Sequence, residues 1–162
     1  MDIAVLILRL LLAAVFLVAG LSKLADLAGS ERTLRDFGVP TRLSVPFGVL
    51  LPLTELAVAV ALLPSTSAWW GAVGALVLLL LFVAGIGYNL ARGHTPDCHC
   101  FGQLHSAPVG WFTLIRNLVL AAFAGVVIGL GRGYAGLSAV AWVGKLTGAQ
   151  RLELFGFLLL LC

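Results

Sequence analysis

Apolar residues run along this chain in long blocks, not in the short alternations of soluble elements. Four blocks reach the roughly 20 residues that a helix needs to cross the hydrocarbon core of a bilayer. They are Ile3–Leu21, broken only by Arg9; Leu43–Leu63, containing Pro46, Pro52 and Glu55; Trp70–Leu90, with no charge; and Trp111–Leu130, with Arg116 and Asn117 near its start. The predicted spans are therefore about 3–21, 43–63, 70–90 and 111–130. Trp69, Trp70 and Trp111 stand at the ends of runs, where amphipathic rings settle at membrane–water boundaries.

The connections differ in character. Ser22–Arg42 is polar, but Leu24, Leu27, Ala28, Leu34 and Phe37 recur at roughly helical spacing, and Glu31/Arg35 and Arg32/Asp36 are opposite charges four residues apart. This predicts an amphipathic helix on the membrane surface, with Ser30 as a cap for its second part. Pro64–Ala68 reads as a tight, uncharged turn. Ala91–Gly110 reads as a loop; it holds two cysteines, all three histidines, two prolines and three glycines. Gly131–Gln150 is glycine-punctuated, and Leu152–Cys162 is apolar but too short to span. The fold expected is an all-α membrane protein: a four-transmembrane-helix bundle over residues 1–131, with an amphipathic surface helix between helices 1 and 2. Residues 132–162 form a C-terminal tail, either interfacial or a partial fifth hydrophobic segment. Met1-Asp2-Ile3 lacks the basic start of a secretory signal, so the first run is expected to be retained.

Composition strengthens this picture. The 162 residues are 61% hydrophobic and 10% charged, with a mean hydropathy of +1.11; soluble domains carry about 25% charged residues. The bilayer is the main environment of this chain. The net charge of +3 is small and scattered, which argues against a nucleic-acid partner.

The chemistry concentrates in His94-Thr95-Pro96-Asp97-Cys98-His99-Cys100-Phe101-Gly102-Gln103-Leu104-His105. A disulfide between cysteines one residue apart meets the preferred Cα separation of roughly 4.4–6.8 Å poorly. Strain makes such a bond easier to reduce, which suits exchange better than stapling. Pro96 and Gly102 supply the turn and backbone freedom. The helix starting at Trp111 turns its N-terminus toward the loop, Arg116 follows about 7–8 Å further in, and both lower a thiol's pKa if near. His99 between the cysteines is a candidate acid/base. Two other readings stay open. Cys98 and Cys100 with His94, His99 and His105 offer soft ligands for zinc or copper, although C-x-C is not the usual zinc spacing. The pair would otherwise be structural.

Ionisable residues within a span are functional candidates. Arg9 and Glu55 lie at depths of roughly 9 and 12 Å from one side, so an ion pair joining the first two spans is expected, with a proton or quinone site as the functional alternative. Asn89 and Asn117 read as interhelical hydrogen-bonding groups, and Lys23 as a snorkelling anchor. Cys162 is assigned no role.

These residues resemble the MauE/DoxX-like family of membrane proteins, its MauE branch most closely. The resemblance rests on Arg9, on Ala19-Gly20-Leu21-Ser22-Lys23-Leu24, on Glu55, on Cys98-His99-Cys100-Phe101-Gly102 and on Trp111 with Arg116-Asn117. It extends to about Gly131. His99 departs from a pattern that often has glycine there, which adds weight to the metal reading. The resemblance implies a multi-pass bacterial plasma-membrane protein linked to maturation of the disulfide-rich small subunit of methylamine dehydrogenase, beside a thioredoxin-like extracytoplasmic partner. The layout also looks like that of vitamin K epoxide reductase-type enzymes, an analogy of architecture alone.

The function expected is a membrane thiol–disulfide redox protein in which Cys98 and Cys100 exchange disulfides with the thioredoxin-like partner, Arg116 stabilises the thiolate and His99 moves protons. Arg9, Glu55 and Trp111 are weaker candidates for binding a cofactor, with a quinone left open. Whether the chain is itself an oxidoreductase is left open too. The competing classes are a Cys/His zinc or copper protein and a non-catalytic membrane assembly factor. Counting Lys23, Arg32, Arg35, Arg42 and Arg92 against Arg132, Lys145 and Arg151 places the cysteine loop inside by the positive-inside rule. Disulfides persist in oxidising compartments, and on that ground the loop is expected outside.

Overall fold

The computed structural model describes residues 2–93, 97–98, 107–108 and 110–130. Five helices carry them: α1 (Asp2–Ala25), α2 (Leu27–Asp36), α3 (Thr41–Leu62), α4 (Ala68–Ala91) and α5 (Trp111–Gly129). All but α2 are long and apolar enough to cross a membrane. Helices are the natural outcome, since hydrocarbon offers no water to satisfy backbone N–H and C=O groups. The only other regular structure among the described residues is a two-residue antiparallel pairing of β1 (Asp97–Cys98) with β2 (Ala107–Pro108).

The four long helices alternate in direction. α1 packs most extensively on α3, and α4 on α5. The shared core runs through Leu12, Phe16, Leu62, Leu79, Ala121 and Ala124. Small residues set the closest approaches. Gly20 lets Leu56 and the Pro52 carbonyl in; a Cβ there would stand 2.9 Å from Leu56 Cγ. At the α3–α4 turn, a Cβ on Gly71 would stand 2.8 Å from the Ala61 carbonyl carbon, and Ser67 Oγ donates to Ala61 O at 2.8 Å. Close backbone approach of this kind drives helix association where lipid removes the hydrophobic incentive.

Ile7, Leu17, Val60, Leu80, Ile115 and Val126 are exposed on the outer surface, as expected of side chains that meet acyl chains. Trp70 at one end and Tyr88, Trp111 and Phe112 at the other are exposed as well, matching aromatic belts at two interfaces.

Helix α2 is the expected surface helix, with a different start. Asp26, not Ser30, is its N-cap, and its Oδ1 accepts from Gly29 N–H at 2.9 Å. Ser30 is buried and donates to Lys23 O at 3.2 Å. Aspartate one turn earlier takes an orphan amide that serine, already inside the helix, cannot reach. The helix stops at Gly38, whose φ of +90° allows Gly38 N–H to bond Arg35 O at 2.8 Å and Val39 N–H to bond Leu34 O at 3.0 Å, a Schellman ending. Of the two expected charge pairs, Glu31–Arg35 closes at 3.2 Å.

Candidate functional site

Side chains on a helix lean toward its N-terminus, and this decides the partners of the two basic residues of α1. Arg9 leans toward the end of the bundle where α3 finishes. Its Nε and Nη2 donate to Leu62 O at 3.1 and 2.9 Å, and Nη2 also donates to Leu63 O at 2.9 Å. Those carbonyls have no partner further along the helix, and they carry the negative end of its dipole. Arg9 therefore caps α3 and does not pair with Glu55.

Glu55 is instead held by Lys23. The Lys23 ammonium donates to Glu55 Oε1 at 2.7 Å and Oε2 at 2.9 Å. Glu55 is fully buried and Lys23 nearly so. Lys23 sits in the last turn of α1, so its stem runs back into the bundle instead of out to the interface. The expected snorkelling anchor is thus half of a buried ion pair. The sequence shows that a carboxylate inside a span needs a cation; that Lys23, not Arg9, supplies it emerges from the packing.

The pair lies in the wall of a cavity of about 490 Å³ beneath α2. The lining is mainly apolar and includes Phe16, Phe37, Phe47 and Phe82, with Lys23, Glu55, Arg116 and Asn117 as polar members. Lys23 Nζ stands 5.7 Å from the centre of the Phe82 ring. Asn117 anchors its amide on its own helix, donating to Thr113 O at 2.7 Å, and Asn89 does the same toward Gly85 O at 2.9 Å. These two amides satisfy i−4 carbonyls and do not bridge helices through those bonds.

The cysteine segment joins α4 to α5 at this same end of the bundle. β1 pairs with β2 so that Cys98 lies opposite Ala107, four residues ahead of Trp111, the first residue of α5. His94, His99, Cys100 and His105 lie outside the described residues, and with them both the disulfide and the metal-ligand expectations. Arg116 is in the second turn of α5 and in the cavity wall, alongside Lys23 and Glu55. Trp111 is 71% exposed on the outer surface, a position for an interfacial anchor.

Residues 1–130 match the family described as methylamine utilisation protein MauE. The chain belongs to the MauE family. It is similar to the methylamine utilization protein MauE of Paracoccus denitrificans, 42% identical over 119 residues, covering 72% of this chain and 64% of that one. The MauE of Paracoccus versutus is 36% identical over 119 residues, with the same 72% and 64% coverage. That of Methylophilus methylotrophus is 34% identical over 118 residues, covering 72% of this chain and 62% of its own. The chain thus spans less than two thirds of the length of these MauE relatives. No solved structure matches it. The matched region takes in α1 to α5, so the Lys23–Glu55 pair, the cavity and the Cys98–Cys100 segment all belong to the MauE portion.

Proposed function

We propose that this MauE-family chain is a thiol–disulfide redox protein of the plasma membrane, working for methylamine utilisation as the names of its relatives indicate. Cys98 and Cys100 cycle between dithiol and disulfide and exchange with a thioredoxin-like protein on the extracytoplasmic side. When the pair is oxidised, a partner dithiol becomes a disulfide while Cys98 and Cys100 take up its two electrons and two protons. The process supports maturation of disulfide-containing proteins.

The observation that carries this reading is the position of the pair. Cys98 pairs with Ala107, four residues before α5, and this supports a reading in which the N-terminus of that helix favours a thiolate. Arg116 in the following turn supplies the stabilising cation, and His99 the proton transfer. A loop outside the membrane keeps the disulfide in an oxidising compartment.

The test is a redox titration of Cys98 and Cys100 in membrane-embedded protein, by alkylation and mass spectrometry across dithiol buffers. A reversible pair with a relatively oxidising potential is expected. A pair that never forms a disulfide, and whose alkylation is blocked until a chelator is added, would overturn it in favour of a zinc or copper site. That second reading draws on the concentration of all three histidines in the same segment.

A further inference from the structure

We infer that the cavity beneath α2 binds a lipid-soluble quinone, with the Lys23–Glu55 pair recognising its head group. This rests on the redox reading above and names the carrier that reading lacks.

Three features of the cavity converge on that class of ligand. The first is access. Phe47, Leu50 and Leu81 line the cavity and are also 47%, 54% and 62% exposed on the outer surface of the bundle. In a membrane that surface meets acyl chains, so part of the cavity wall on α3 and α4 is itself in contact with lipid, and entry is inferred from that side. What enters is dissolved in lipid. Its volume of about 490 Å³ falls within the usual range of small-molecule sites, about 300–1,000 Å³.

The second is the shape of the wall. Four phenyl rings, Phe16, Phe37, Phe47 and Phe82, come from three different helices and the end of α2. Flat faces suit a flat ring, which stacks in offset or edge-on contact. An acyl chain has no such need.

The third is the polar pair. An ammonium has three donors, and two of Lys23's are spent on Glu55. Among the described residues no acceptor takes the third, which is left to the face of the Phe82 ring or to a ligand acceptor. Lys23 and Glu55 are neutral as a unit. An uncharged head with a carbonyl oxygen fits this set better than an anionic lipid head. A buried ion pair facing a lipid-accessible cavity is also a costly feature for packing alone.

The electron balance closes. Two thiols and one quinone give one disulfide and one quinol: both S–H bonds break, an S–S bond forms, and both quinone oxygens become hydroxyls. Lys23 donates the hydrogen bond that draws charge onto the nearer oxygen. The cavity wall includes Gly85 and Ile86 of α4 and Arg116 and Asn117 of α5, the two helices joined by the cysteine segment, so both redox partners belong to one end of the bundle.

The test uses the full chain in lipid nanodiscs with a photoreactive azido-ubiquinone, read by mass spectrometry. Saturable labelling of cavity peptides from α3, α4 or α5 is expected, displaced by decylubiquinone. Gly85→Leu, which fills space beside Phe37, and Leu81→Trp, which crowds the opening from an exposed position, should each weaken binding about tenfold or more, a difference of about 1.4 kcal/mol. Labelling should persist in Cys98→Ser and Cys100→Ser. Labelling that does not saturate, that decylubiquinone does not displace, or that survives both cavity variants overturns the inference, and capture of a photoreactive phospholipid at the same peptides would assign the cavity to a lipid chain. The two claims fail separately. Thiols that cycle without quinone binding sink only the quinone site, and quinone bound beside inert thiols sinks only the redox reading.

Discussion

Lys23 grips both carboxylate oxygens of Glu55, at 2.7 and 2.9 Å, and so ties the last turn of α1 to the interior of α3. The two residues are 32 positions apart, and neither can leave the pair without stranding a charge in a low-dielectric interior. Arg9 performs a different task at the opposite end of the same helix pair. One face of α1 thus locks α3 at two levels, by an ion pair near the cysteine segment and by a guanidinium cap at the far end.

Breaking the ion pair from one side is expected to be severe. Lys23→Met leaves Glu55 buried and unpaired, at a cost of about 3–5 kcal/mol. The double variant Lys23→Met/Glu55→Leu should recover most of that loss, because the stranded charge is gone. Unfolding in detergent micelles, run as a double-mutant cycle, checks both. Equal losses in the single and double variants would show that the pair does not act as a unit.

Arg9→Met should destabilise the bundle by about 1.5–3 kcal/mol, the range for hydrogen bonds to a charged group. The damage should be local to the end of α3, seen as faster hydrogen exchange around residues 60–67. Thiol cycling at Cys98 and Cys100 should continue, since Arg9 lies at the other end of the bundle. Loss of cycling at unchanged stability would instead return Arg9 to the site.

Glycines on this bundle should divide sharply. Gly71→Ala places a Cβ 2.8 Å from Ala61 backbone, and overpacking of that kind costs about 1–3 kcal/mol. Gly87→Ala meets nothing within 4 Å and should be neutral or slightly stabilising through helix propensity. Thermal melting of the two variants side by side makes the comparison.

Arg116 is proposed to hold a thiolate. Arg116→Gln should therefore slow iodoacetamide alkylation of the reduced cysteines at neutral pH by several-fold, while Arg116→Lys keeps much of the rate. The pH profile of alkylation should move upward in the glutamine variant, because a thiol without its cation ionises later. An unchanged profile would leave Arg116 as a cavity residue only.

Much of the architecture was legible in the sequence. Long apolar runs admit only one satisfying open backbone form for a single segment in hydrocarbon, the helix, and the run lengths set four spans. The polar stretch between the first two kept helical spacing, so α2 was readable as well. The C-x-C segment stood out as the candidate site through residue types alone. Partner choice was different. Arg9 and Lys23 are both basic residues on α1, and depth counting favoured Arg9 as the mate of Glu55. Only the packed structure showed that the lean of each side chain sends Arg9 outward to the carbonyls of Leu62 and Leu63 and Lys23 inward to the carboxylate. The cavity was beyond the sequence for a related reason: its walls come from five helices, and an internal space depends on how surfaces distant in the chain fail to meet. Composition and periodicity act along one helix at a time and so determined the elements; which buried charges meet, and where the bundle stays open, was decided by their assembly.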